Sequence, residues 1–111
     1  MTSAGNIILR CDFGNVVFQR SFKALKHDVN KEARRAMGEL VLVDVDSPPA
    51  KLHLHMLTNK TVPSALDPSK QVKVYTFHIT SNDAWKASFT LENGTAFLRA
   101  CGPHDKIDKT P

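Results

Sequence analysis

Glycine is scarce and scattered in this chain, occurring only at positions 5, 14, 38, 94 and 102. Residues spaced that widely cannot form a Gly-rich loop that cradles phosphate. Cysteine is scarcer still: Cys11 and Cys101 lie in opposite terminal regions and make no Cys-x-x-Cys pair. Without a secretory context they read as two reduced, buried thiols rather than a disulfide. No apolar run approaches the roughly 20 residues of a membrane-spanning helix; the longest are on the scale of Leu40 to Val45. Residues 1 to 6 show no basic stretch leading into an apolar core of signal-peptide type. An intracellular location, cytoplasmic or nuclear, is therefore expected, with no membrane partner. On that expectation the sequons beginning at Asn59 and Asn93 are only loop and turn residues.

What is present is an ordinary globular composition. With 111 residues, 41% of them hydrophobic and 23% charged, the chain can bury a core and is too apolar for disorder. A single domain over 1–111 is expected, with short polar tails at 1–6 and 102–111. Fifteen Lys and Arg against eleven Asp and Glu leave a net charge of +4. That balance biases the surface mildly toward anionic partners and specifies none of them.

The hydrophobic period is two along most of the chain. Residues 7–13 and 16–22 flank Gly14-Asn15 and read as a hairpin with a two-residue primed turn, which sets Cys11 opposite Phe18. Between Phe22 and Met37 the spacing changes: Phe22, Leu25, Val29, Ala33, Ala36 and Met37 recur every three or four residues, the stripe of an amphipathic helix. Leu40–Val45 and Lys51–Leu57 read as a second hairpin across Asp46-Ser47-Pro48-Pro49, with Leu52, Leu54 and Met56 inward. Residues 58–70, with two prolines, form the one long loop. Gln71–Thr80 carries apolar groups on both faces and so reads as a central strand. Asn93-Gly94 joins the last two strands, 84–92 and 95–101, and places Leu91 opposite Ala96, Phe89 opposite Leu98 and Ala87 opposite Ala100. The sum is an α+β, antiparallel β-rich fold of order β-β-α-β-β-β-β-β, a curved sheet or partly open barrel with one helix packed on it.

Candidate chemistry is sparse. Lys23, Lys26, Lys31, Arg34 and Arg35 make a basic helix, offset by Asp28 and Glu32. Such a face can contact nucleic-acid or other anionic phosphates, and it equally suits a solvated face with cations near the negative end of the helix dipole. His53 and His55, two residues apart, would present paired imidazoles on one side of a strand, with His78 nearby as a third metal ligand. The same spacing fits an ordinary wet strand face, and a fourth ligand is not placed, so no metal and no cofactor is expected. Phe97 beside Arg99 is a lone ring and makes no stacking platform for bases. Nor is any carboxylate or thiol placed beside a partner that would give it a catalytic role.

The sequence therefore points to a non-enzymatic binding or assembly module. Its expected partner is another protein or a second copy of itself, as a homodimer or larger, contacted through sheet edges and the basic helix. An RNA- or DNA-binding protein using the five cations is the alternative. A metal-dependent enzyme at His53, His55 and His78 is a third reading.

Overall fold

The computed structural model describes residues 6–111; of the expected tail at 1–6 all but Asn6 lies outside them, and Asn6 O accepts the Val45 N–H at 3.0 Å. The elements run β1 (Arg10–Asp12), α1 (Val16–Lys23), α2 (His27–Gly38), a 3-10 turn at Ala50–Leu52, β2 (His55–Pro63), β3 (Gln71–His78), β4 (Trp85–Glu92), β5 (Thr95–Pro103) and α3 (His104–Lys109). The strands form one open five-stranded sheet of order β1-β5-β4-β3-β2. Strands β2 to β5 are antiparallel neighbours, and β1 runs parallel to β5. The expected β-rich α+β fold is present, as a mixed sheet that does not close into a barrel.

The last hairpin anchors the sheet. Asn93 and Gly94 both take positive φ, 51° and 77°, as a two-residue primed turn requires. Leu91 pairs with Ala96 and Phe89 with Leu98 as expected, but a bulge at Arg99 shifts the rest, so Ala87 meets Cys101 rather than Ala100. Strand β3 lies between β4 and β2, and both its faces are covered: Phe77 on one and Val74 on the other are fully buried. On the helical face of the sheet, Phe77, Ile79, Ala87, Phe89, Ala96, Leu98 and Cys101 join Phe18, Val29, Ala33 and Met37 in one buried cluster. At about 3–5 kcal/mol for truncating one buried phenylalanine, Phe77 and Phe89, both fully buried, are large single contributors to stability.

Several expectations are corrected. Residues 16–22 are helical, not the second arm of a hairpin. Asp12 Oδ1 accepts the Gly14 N–H at 2.8 Å and Asn15 Oδ1 accepts the Phe18 N–H at 3.1 Å. Gly14-Asn15 thus forms an Asx turn followed by a helix N-cap, the other use of the same residue types. Phe18 and Phe22 are four apart, so they share a face in a helix as they would in a strand; the pattern fits both. Cys11 consequently lies beside Ala96.

Leu40–Val45 is a turn-rich segment, not a strand. Leu42 takes φ +72°, and the backbone exchanges hydrogen bonds with Ile8 instead: Ile8 N–H to Val43 O at 2.9 Å and Leu42 N–H to Ile8 O at 2.6 Å. Leu40, Val43 and Val45 are buried in the core cluster while Leu42 is 72% exposed, so burial rather than strand pairing accounts for the apolar run. Strand β2 then pairs with β3, not with 40–45, and extends to Pro63. The long loop shrinks to 64–70, closed by the Ser64 N–H donating to Lys70 O at 2.9 Å; Met56 is 39% exposed rather than inward.

The segment 102–111 is not a tail. It completes β5 and forms α3, whose Ile107 is 1% exposed. Asp108 there accepts a 2.9 Å hydrogen bond from the buried Lys86 ammonium, and the Ser88 hydroxyl donates to Pro111 O at 3.3 Å. Finally, the single expected helix is two, broken at 24–26. No helix among the described residues is long and apolar enough to cross a membrane.

Candidate functional site: a groove beside the first strand

Strand β1 ends the sheet, and its partner β5 occupies only one of its edges. The chain then turns through Gly14 and rises into α1, whose Phe18 and Phe22 pack above β5. Between β1, α1 and the C-terminal end of α2 lies a groove of about 770 Å³. Its walls are Leu9 and Phe13 from the β1 segment, Phe18 and Phe22 from α1, Met37 from α2, and Val41. The rings of Phe13, Phe18 and Phe22 form a row, with centroids 5.8 and 5.6 Å apart. Phe18 is buried, whereas Leu9, Phe13 and Val41 are 51%, 44% and 44% exposed. Val16, Val17 and Leu42, adjacent in sequence to these walls, are also exposed. Apolar side chains this wet and this concentrated are unusual on a lone surface.

The rim is positive. Arg10, Lys23 and Arg34 border the groove and no carboxylate does. Arg10 donates to the Thr95 hydroxyl at 2.9 Å and Arg34 Nε to Asn30 Oδ1 at 2.8 Å, neutral acceptors that leave the charges uncompensated. Among the described residues none of the three cations lies within ion-pair distance of an acid. Burial pushes the Cys11 thiol, which also lines the groove, above its ordinary range, which makes it a poor nucleophile. Cys11 and Cys101 are both free.

The five cations expected on one helix are divided. Lys23 ends α1, Lys26 precedes α2, and Lys31, Arg34 and Arg35 lie on α2. Their spacing of three and four puts these last three on one outward stripe, where Arg35 sits 3.7 Å from Glu32. Only Lys23 and Arg34 reach the groove. Arg10 was missed because in the hairpin reading it belonged to a paired strand with no helix beside it.

The histidines are also rearranged. His53 follows the 3-10 turn with φ +46°, so it does not share a strand face with His55, which is exposed in β2. The His53 ring instead stacks on His78, centroids 4.5 Å apart and planes 12° from parallel. His78, at the end of β3, has Nδ1 2.8 Å from Asp83 Oδ1, and the ring of His104 meets it edge-on at 5.8 Å. Burial lowers the His78 pKa; Asp83 opposes that shift, and His53, Lys86 and His104 add to it. Neither His104 nor Asp83 stands out as a ligand in the sequence, because one lies in an apparent tail and the other reads as a turn carboxylate without a partner.

Searches against protein families, curated proteins and solved structures return no match.

Proposed function

We propose that this chain is a non-enzymatic binding module whose groove receives an extended, apolar and acidic segment of another protein, laid beside β1 as a further strand. The observation that carries the reading is the coincidence of a terminal strand, an exposed apolar groove along it, and three rim cations with no acid to neutralise them. Strand addition draws affinity from main-chain hydrogen bonds and specificity from alternate side chains. Here the side chains on the helical face would enter the row of phenylalanines, and the groove is of a size that accepts several of them. Acidic residues on the segment would meet Arg10, Lys23 and Arg34, which speeds encounter and selects against basic sequences. Self-pairing of two β1 edges would bring like-charged rims together, which favours a separate partner over a second copy.

The test uses two soluble peptides of roughly eight residues, a common strand length, one alternating Val with Glu and one alternating Val with Lys. The Glu peptide is expected to shift the amide resonances of Arg10–Asp12, with affinity that falls as salt rises. Phe13→Asp should abolish that binding, and reversing Arg10, Lys23 and Arg34 to Glu should transfer it to the Lys peptide. Equal binding of both peptides, or shifts confined to residues away from β1, refutes the reading. Light scattering of the purified chain reports a self-paired dimer directly.

A second reading, binding of nucleic acid, draws on Lys23 and Arg34 together with the α2 stripe of Lys31 and Arg35. It requires affinity for oligonucleotides that declines linearly on a log–log salt plot; unchanged affinity after charge reversal at Arg34 and Arg35 removes it.

A further inference from the structure

At the other end of the sheet, three side chains from separate segments converge. His78 closes β3, Asp83 sits in the 81–84 turn, and His104 opens α3. One ligand atom from each lies within 4.8 Å of the other two. The geometry points to a binding site for a single divalent transition-metal ion, of the Zn²⁺ or Co²⁺ type, held by His78, Asp83 and His104. Two imidazoles and one carboxylate suit a borderline transition ion, whereas Mg²⁺ and Ca²⁺ prefer all-oxygen sets.

The ligands can close on an ion with little movement. Donor atoms around a tetrahedral zinc stand about 3.3 Å apart, given bonds of about 2.0–2.1 Å. The His78–Asp83 pair is at 2.8 Å and needs to open slightly. His104 must draw in from at most 4.8 Å, and both it, one-third exposed, and Asp83, 65% exposed, have room to turn. Asp83 is held at φ +69°, an uncommon conformation for a non-glycine residue, and in it the carboxylate faces His78.

Supporting groups surround the triad. Asp108 Oδ2 lies 3.2 Å from His104 Nδ1. A carboxylate on one ring nitrogen orients the imidazole and makes the other nitrogen the donor. The charges facing the site are Asp83, Asp105 and Asp108 against the single buried Lys86, which is paired to Asp108. With neutral imidazoles that excess is negative and favours a dication. His53, stacked flat on His78, shields one side and is not a ligand. The remaining positions fall to water, as in open rather than closed zinc sites.

Co²⁺ is the probe, because its visible absorption intensifies in a low-symmetry four-coordinate site. Titration of the purified, chelator-treated chain should develop that absorption and saturate at about one ion per chain, and Zn²⁺ should displace it. His104→Gln and Asp83→Asn should each abolish the stoichiometric signal, His55→Gln should leave it unchanged, and Asp108→Asn should weaken affinity about 10–100-fold. Circular dichroism checks that each variant is folded; if His104→Gln is not, the surface variant Asp83→Asn decides. Absence of a saturable signal in the parent chain overturns the assignment, and so does a signal that survives in folded Asp83→Asn.

Discussion

Replacing Gly94 with alanine probes the junction on which both the hairpin and the groove depend. Gly94 has φ +77°, and a Cβ added there would lie 2.9 Å from Leu9 Cδ1 and 3.2 Å from Leu9 Cγ. The left-handed backbone alone costs a side-chain-bearing residue about 1–2 kcal/mol. The contact adds less than its distance suggests, because the Leu9 side chain is half exposed and its far end can swing toward solvent. A total loss of about 2 kcal/mol is expected, or roughly 8–16 °C in melting temperature for a domain of this size. Urea unfolding should show a lower midpoint with an unchanged slope, the sign of lost stability rather than an altered denatured state.

Leu9→Ala removes the two clashing carbons and leaves Leu9 Cβ at an ordinary 3.5 Å. In the Gly94→Ala background it should cost less than in the parent, giving a coupling of about 0.5 kcal/mol or more. Gly38→Ala is the control: nothing lies within 4 Å of the added carbon, and the residue ends α2 without a positive φ. That change should stabilise by about 0.4–1 kcal/mol. A Gly94→Ala chain as stable as the parent, or a Gly38→Ala chain that loses as much, refutes the reasoning.

Glu92 accepts hydrogen bonds from the Ser64 and Thr90 hydroxyls and from the Ala65 N–H; burial raises its pKa, but the hydrogen bonds outweigh it and the net shift is downward. A carboxylate with a depressed folded-state pKa contributes stability above its unfolded pKa and loses it as pH falls through the folded value. Glu92→Gln should therefore flatten the fall in stability that sets in as pH drops below the ordinary carboxyl value of 4.5, and equal slopes in the two proteins would rule this out. Asp108→Ala strands the Lys86 ammonium, 2% exposed, and should cost about 3 kcal/mol, part of it restored by Lys86→Met, which removes the charge and keeps the volume; denaturant midpoints decide. Asn15→Ala should cost about 1 kcal/mol as a lost N-cap, whereas a hairpin turn at that position would predict failure of pairing at β1, which amide exchange at Arg10–Asp12 would reveal.

Where local chemistry had one structural use, the sequence was legible. Asn93-Gly94 admits a primed turn and little else, so β4, β5 and the first half of their register follow; the second half fails at Arg99 because a bulge is decided by packing, not by alternation. The stripe Val29, Ala33, Ala36, Met37 is a helix in any context. Legibility ended where one pattern served two structures. Asn15 is both a turn residue and an N-cap, and Phe18 and Phe22 match both periods, so the tertiary requirement for a lid over β5 decided for a helix. Val41, Val43 and Val45 favour strands, yet the expected partner strand pairs with β3 instead, and the run meets residues 6–8 only at one short bridge while Leu40, Val43 and Val45 are used for burial.

The site residues were harder to find for a topological reason. Arg10 joins Lys23 and Arg34 only because β1 crosses to lie parallel to β5, a pairing between the two ends of the chain that no local period encodes. His104 joins His78 only because 102–111 folds back through Ile107, and that segment, HDKIDK, offers a single apolar residue as its signal. Both candidate sites thus depend on β5, one at each of its ends: Thr95 beside Arg10, and Pro103 leading into His104. An insertion that slips the β4–β5 register beyond the Arg99 bulge would displace the following residues of β5 by one position and turn Cys101 to the wrong face. Deleting Arg99 would keep Ala100 opposite Ser88, whereas inserting one residue after Ala100 should impair the His78–Asp83–His104 cluster while leaving the pairing of Leu91 with Ala96, and hence the groove, intact. Cobalt absorbance lost with the Arg10–Asp12 amides unmoved would confirm that division; both sites failing together would show that the sheet transmits the slip along its whole length.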